Sequence, residues 1–401
     1  MLRLDHALRR YAWGSPTAIP ELLGLPAGDL PLAEIWLGAH RLAPAMVARG
    51  EDDFGISLAE VIAHDPVAAL GPDGGTELPY MLKLLGVGRP LSLQVHPSAE
   101  QAQAGYAREQ AAGLDLDAPN RSYKDPNPKP EMVYALTSFE ALCGFRPAEQ
   151  IRAILAPLTS ESTLASAMAD AMKPAGAAGL KAALSEALMG PATTPEGISQ
   201  LAAVCRSQLA RPSVDPGAYA LCNSLAKRYP DDGAVAASLL MCHLTLAPGE
   251  AFFTPPGTLH SYQRGLAVEV LGPSDNVVRA GMSGKYINPE RFIDTVDFAG
   301  RGAVRPAVVR HGQARVLRPP VAAFQLADLR LDGTYHCQMA GPRIALVLSG
   351  QVTAFTDVGS VHVSRGQALF AMANEGPVEI RGQGRLILAA PGESKSISLS
   401  T

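Results

Sequence analysis

The sequence predicts a mainly β protein: a first β unit split by a helical insertion, and a second, related β unit after it. Three observations lead there. Short apolar runs cut by Pro and Gly fill the chain up to about Arg146, helical spacing takes over from about 151 to 240, and one five-residue pattern returns 117 positions later.

The first block, from Ala33 to Arg146, contains Tyr80-Met81-Leu82-Lys83-Leu84-Leu85 and Leu91-Ser92-Leu93-Gln94-Val95-His96, which read as strands between turn residues. After Arg146-Pro147, Ile151, Ile154, Leu155 and Leu158 fall on one helical face, as do Leu180, Leu184 and Leu188 in an Ala-rich background. Alternation resumes at His243-Leu244-Thr245-Leu246, Phe252-Phe253 and Val268-Glu269-Val270. A last strand-like block runs from about Pro319 to Pro391 and includes Ile344 to Leu348 and Leu386-Ile387-Leu388. Three units are therefore expected: 1–150 with 240–315, the helical 151–239, and 316–401, whose Ser-rich end from Gly392 is expected to fray. The repeat links the outer two, because Gly249-Glu250-Ala251-Phe252-Phe253 returns as Gly366-Gln367-Ala368-Leu369-Phe370.

Composition narrows the class. A chain of 401 residues holds two or three cores, and 47% hydrophobic with 18% charged residues excludes disorder and fibrous repeats. A net charge of −4 gives no overall attraction to nucleic acid or anionic membranes, leaving a small molecule as the expected partner. Met1 to His6 lacks the apolar core of a secretory signal, and no run reaches the roughly 18 apolar residues of a membrane span, so a cytoplasmic protein is expected. Cys143, Cys205, Cys222, Cys242 and Cys337 form no C-x-x-C pair, which suits reduced thiols and argues against zinc held by cysteines.

A metal site is nevertheless expected. Gly249, Pro255, Gly257 and His260 form G-x5-P-x-G-x-x-H, which resembles the second motif of the cupins, small jelly-roll barrels. Gln94 and His96, two apart on a strand, project from one face, and Glu131 stands at the head of the apolar run Met132-Val133-Tyr134. Taken singly, His260 is an ordinary turn histidine, Gln94 and His96 are a strand pair, and Glu131 says nothing. Together they make a mixed N/O set suited to zinc and, less selectively, to manganese, cobalt or iron. Adding 117 to Pro255, Gly257 and His260 gives Met372, Asn374 and Pro377, so the second barrel is expected to be a metal-free packing or lid unit.

Several segments then match one family. Tyr11-Ala12-Trp13-Gly14-Ser15, Ala33-Glu34-Ile35-Trp36-Leu37-Gly38-Ala39-His40, Pro90 to Pro97, Asn127-Pro128-Lys129-Pro130-Glu131-Met132, His260-Ser261-Tyr262 and Ser274 to Gly281 resemble the signatures of type I phosphomannose isomerases. The resemblance implies a cupin catalytic barrel, a helical domain and a second cupin-like barrel. It also implies interconversion of mannose 6-phosphate and fructose 6-phosphate through an enediolate, with one zinc ion on Gln94, His96, Glu131 and His260 and a catalytic Arg279. Pro128 departs from the family, where many members carry histidine.

For the proton carrier, Glu269, Lys129, Tyr262 and metal-bound water all stand open, and Glu269 is free to face either the barrel interior or solvent. Ser92 and Lys285 are candidate phosphate contacts, and Asp275 a substrate contact beside Arg279. A monomer acting on a sugar phosphate, without nucleic acid or membrane, is expected. An iron-dependent cupin oxygenase and a non-catalytic sugar-binding bicupin are the competing readings, separable by oxygen consumption and by isomerase turnover.

Overall fold

A computed structural model describes residues 1–393 except 25, 27, 49–53, 213–214 and 301; the serine-rich tail expected to fray lies, from 394 on, outside the described residues. The chain is mainly β, in two ten-stranded sheets with the helices grouped between strands of the first. In that sheet the long strand His260–Leu271 is the hub. It pairs with Met81–Val87 on one side and with Glu131–Ala135 and Phe139–Phe145 on the other, and at its head His260 stands opposite Gln94.

The unbroken apolar run Met81–Val87 is explained by cores on both of its faces. Leu82 and Leu84 pack between the two sheets with Val268, Val270, Ile344 and Phe370, whereas Leu85 and Val87 point into the barrel with Val133, Phe139 and Tyr262. Lys83 shares the inward face of Leu85, and Glu269, its register partner, lies opposite to Val268 and Val270. The glutamate therefore faces inward.

The described residues between 148 and 237 form successive helices, with starts set by local chemistry. Thr194 and Asp215 each cap a helix with Pro at its first turn, Pro195–Gln208 and Pro216–Arg228, by accepting from the N–H groups of Gly197 and Ala218. Their apolar faces join Leu93, Val95 and Val278 in one core, so the helices brace the strands that carry Gln94 and Arg279. Within 33–146, read as strands, three stretches are instead helical: Leu58–His64, Pro66–Leu70 and Ala99–Ala111. Ser57 with Glu60 and Ser98 with Gln101 form capping boxes, a signal that apolar spacing alone overlooks.

The second sheet holds Gln325–Cys337, Arg343–Thr356, Ala368–Ala371 and Val378–Ala390, and also takes in Leu2–Asp5, Met46–Ala48 and Phe54–Ser57 from the N-terminal region. Its interior core contains Val347, Leu369, Leu386 and Leu388. The repeat is structural: Gly249 and Gly366 open the matching strands at φ 91° and 84°, a left-handed turn that favours glycine. No helix among the described residues is long and apolar enough to cross a membrane.

Candidate metal centre and active site

His96, Glu131 and His260 converge, all buried, with their ligand atoms within 4.8 Å of one another. Two barrel walls deliver them. Glu131 opens the strand Glu131–Ala135, His260 opens the hub strand after the turn at Gly257, and His96 follows the end of Leu93–Val95. The tautomers are set from behind. His96 Nδ1 lies 2.7 Å from the Asn276 carbonyl and His260 Nδ1 lies 3.0 Å from that of Thr258, so each Nδ1–H donates outward and each Nε2 presents a lone pair inward.

Burial keeps His96 neutral, pushing its imidazole down to about 4. Its Nε2 lacks a hydrogen-bond partner and stands 3.2 Å from Glu131 Oε1, while His260 Nε2 stands 3.4 Å from Glu131 Oε2. Although burial alone would raise the Glu131 carboxyl, Lys129 Nζ at 3.0 Å and the histidines hold it well below the usual range. Bare nitrogen lone pairs facing a carboxylate repel, and a divalent cation between them removes the conflict. The residues fit a metal.

Gln94 Nε2 lies 3.2 Å from His260 Nε2, and Gln94 Oε1 lies 3.4 Å from Ser92 Oγ. A half-turn of the amide exchanges the two atoms without moving the chain and presents an oxygen ligand.

Ser92, Gln94, Lys129, Glu131, Tyr262, Glu269, Asp275, Arg279 and Lys285 all line one cavity of about 940 Å³, with His96 and His260 buried against Glu131. Tyr262 Oη donates to Glu269 Oε1 at 3.0 Å and sits 3.4 Å from Glu131 Oε2. Burial, then the nearby Glu131 charge, push the Glu269 carboxyl up to about 7, with Lys83 opposing. Asp275 is held by His40 at 3.1 Å, which keeps its carboxyl down at about 2 against the effect of burial. Arg279, half-buried on the strand beside Gln94, makes no ion pair among the described residues. Lys285 lies over the Tyr11 ring, 4.7 Å from its centroid.

Sequence reasoning missed Lys83, Glu34, Asn276 and a rim of further cations. Lys83 Nζ is buried 3.9 Å from Glu269 Oε2 and over the Trp36 ring, whose indole donates to Glu34 at 2.6 Å. A lone lysine inside a run of apolar residues was the available signal. Asn276, fully buried, bonds the backbone at Lys124, Asp125 and Asn127 while its own carbonyl fixes His96, tying two ligand loops together. Arg9, Arg89, Lys124 and Arg228 complete a cationic rim. Of these, Arg228 comes from the helices, and Asp232 reaches the same wall by accepting from Met282 N–H, a non-glycine residue at φ 54°.

The comparisons with known proteins agree with this geometry. The family profile described as phosphomannose isomerase type I, catalytic domain, matches residues 1–148. The chain is 34% identical to the mannose-6-phosphate isomerase of Escherichia coli (strain K12), with 96% of this chain and 98% of that one covered, and 30% identical to that of Rattus norvegicus, with 93% of each. A crystal structure of mannose 6-phosphate isomerase from Salmonella typhimurium, bound to its substrate fructose 6-phosphate and to zinc, superposes with a TM-score of 0.86 at 32% identity, covering 98% of this chain and 100% of that one. With a shared fold and better than 30% identity over nearly its whole length, the chain belongs to the type I phosphomannose isomerases.

Proposed function

We propose that the chain interconverts mannose 6-phosphate and fructose 6-phosphate, using one zinc ion held by His96, Glu131, His260 and a turned Gln94 amide. The observation that carries this reading is the pair of proton-free imidazole nitrogens facing a carboxylate at the wall of a cation-rimmed cavity. It is supported by the mannose-6-phosphate isomerases to which the chain is similar, one of them holding fructose 6-phosphate and zinc.

The reaction moves the C2 proton of the aldose to C1 and a hydroxyl proton from O2 to O1, through an enediolate. When bound, the metal supplies Lewis-acid polarisation to the two oxygens that exchange carbonyl and hydroxyl character. Glu269 takes the carbon proton and returns it: it is a buried carboxyl lining the cavity, and burial raises its affinity for a proton. Tyr262 donates to one Glu269 oxygen and fixes the plane of the carboxyl, while Lys83 stands by the other. Lys129 holds Glu131 ionised, and Arg279, with no carboxylate of its own, offsets charge developing on the enediolate. Ser92 and Lys285 receive the phosphate, and Asp275, ionised and braced by His40, accepts from a sugar hydroxyl.

In this reading the catalytic unit comprises 1–150 and 240–315, the helical unit 151–239 and the second barrel the chain from 316, with the strands Leu2–Asp5, Met46–Ala48, Phe54–Ser57, Ala307–His311 and Ala314–Arg318 crossing those bounds to pair in the second sheet. The chain works as a cytoplasmic monomer, and the five unpaired cysteines suit a reducing compartment. A coupled assay of purified protein on mannose 6-phosphate, with metal analysis of the same sample, tests the activity. Turnover that collapses on chelation and returns with zinc is expected. Full turnover after thorough metal removal would refute the metal's role, and light scattering that finds a dimer would refute the monomer.

A further inference from the structure

The second barrel has a cavity of its own beside the repeated strand, lined by a buried arginine. On the repeated strand the register corresponds, since Thr254 pairs with Glu131 and Ala371, 117 positions later, pairs with Arg343; on the hub strand it does not, since Leu271 pairs with Glu131 whereas Leu388 pairs with Ala345. Cys337, Met339, Arg343 and Pro377 line a cavity of about 600 Å³, within the range of small-ligand sites. Opposite the repeated strand, a guanidinium thus stands where the first barrel has the carboxylate ligand.

Arg343 is only 4% exposed. Its Nη1 and Nη2 donate to the carbonyls of Gly376 at 2.8 Å and Met372 at 3.1 Å, while its Nε has no partner. No carboxylate among the described residues lies within ion-pair distance of it. Of the acidic groups in the lining, Glu379 is engaged by Arg381 and His336, and Asp357 is exposed at a turn. A buried cation satisfied only by neutral carbonyls leaves a positive field in the cavity that an anion would neutralise.

We propose that this cavity binds a small phosphate-bearing anion, with Arg343 as the buried anchor and Arg381 at the rim. The guanidinium fork matches phosphate oxygens, and orthophosphate and a phosphate monoester share that headgroup. The site is separate from the catalytic cavity and needs no metal.

Equilibrium dialysis of the zinc-loaded full-length chain against orthophosphate, and separately against glucose 6-phosphate, tests it. A bound equivalent beyond that of the active site is expected, lost in Arg343→Met while isomerase turnover stays within about twofold of the parent. Arg381 is largely exposed, so Arg381→Gln leaves folding intact and should weaken the extra equivalent by about tenfold. Binding of both probes assigns a phosphate-monoester site and binding of orthophosphate alone a free-phosphate site. A single equivalent in the parent chain, or an extra equivalent unchanged in both variants, overturns the proposal. If Arg343→Met fails to fold, an unchanged affinity in Arg381→Gln overturns it alone.

Discussion

The two barrels share the pairing of the repeated strand and differ in the residue that stands opposite its end. In the first, Glu131, His260, His96 and Gln94 stand where two walls meet; in the second, Arg343 takes the place of Glu131 opposite the repeated strand, and Pro377, Met339 and Cys337 line the cavity beside it. The walls themselves are alike, with alternating apolar residues and a left-handed glycine opening the repeated strand. Barrel formation therefore depends on alternation and turns, which both copies satisfy, while chemistry depends on a few side chains that folding does not require.

The harshest way to break the contrast is to empty the first site. Glu131→Ala removes the carboxylate shared by both histidines and should abolish metal retention and cut turnover by about a thousandfold or more. Metal analysis and steady-state assay of the folded variant check it; zinc retained at full occupancy would contradict the ligand assignment. Next comes Glu269→Gln, which removes the proposed proton carrier and should lower kcat by about a hundred- to a thousandfold with metal content intact. Arg279→Met should cost about a hundredfold, again without loss of metal, and unchanged turnover would remove Arg279 from the mechanism.

Glu269 also gives a pH test with a definite sign. In metal-free protein its folded-state carboxyl titrates at about 7 rather than near 4.5, so between those values the folded chain holds more protons than the unfolded one. Its contribution to stability is present below 4.5 and is lost as pH rises through about 7. Relative to Glu269→Gln, the chelated parent chain should lose a few degrees of melting temperature between about pH 5 and pH 8. Parallel melting curves for the two proteins would show that burial does not perturb this carboxyl.

The boundary between what the sequence showed and what it hid follows the same contrast. Alternation placed the strands around Lys83, Val268 and Ile344, and the G-x5-P-x-G-x-x-H spacing placed His260, because turns and periodicity are local properties. The helices Leu58–His64 and Ala99–Ala111 were passed over, although Ser57 and Ser98 begin capping boxes, because their apolar periodicity is weak. Lys83, Glu34 and Asn276 were hidden for another reason. Their roles rest on partners distant in sequence, and no spacing shows that Lys83 meets Glu269 or that Asn276 supports His96. The same applies to Arg343, whose meaning emerges only when its register is laid over that of Glu131.

The smallest expected effect concerns the joint between the barrels. Tyr134, on the strand that Glu131 opens, donates to Asp328 Oδ2 at 2.7 Å across to the second sheet, where Arg385 holds the same carboxylate at 2.8 and 3.3 Å. Tyr134→Phe deletes that bond and the one its oxygen accepts from Arg385 Nη2 at 3.3 Å but leaves Asp328 paired with Arg385, so no buried charge is orphaned and the loss should be only about 1–2 kcal/mol. The Tyr134 hydroxyl is outside the catalytic cavity, and kcat should stay within about twofold of the parent. Denaturant unfolding alongside steady-state kinetics separates the two readouts. If turnover falls with stability, the second barrel does more than buttress the first, and the division of labour between them has to be redrawn.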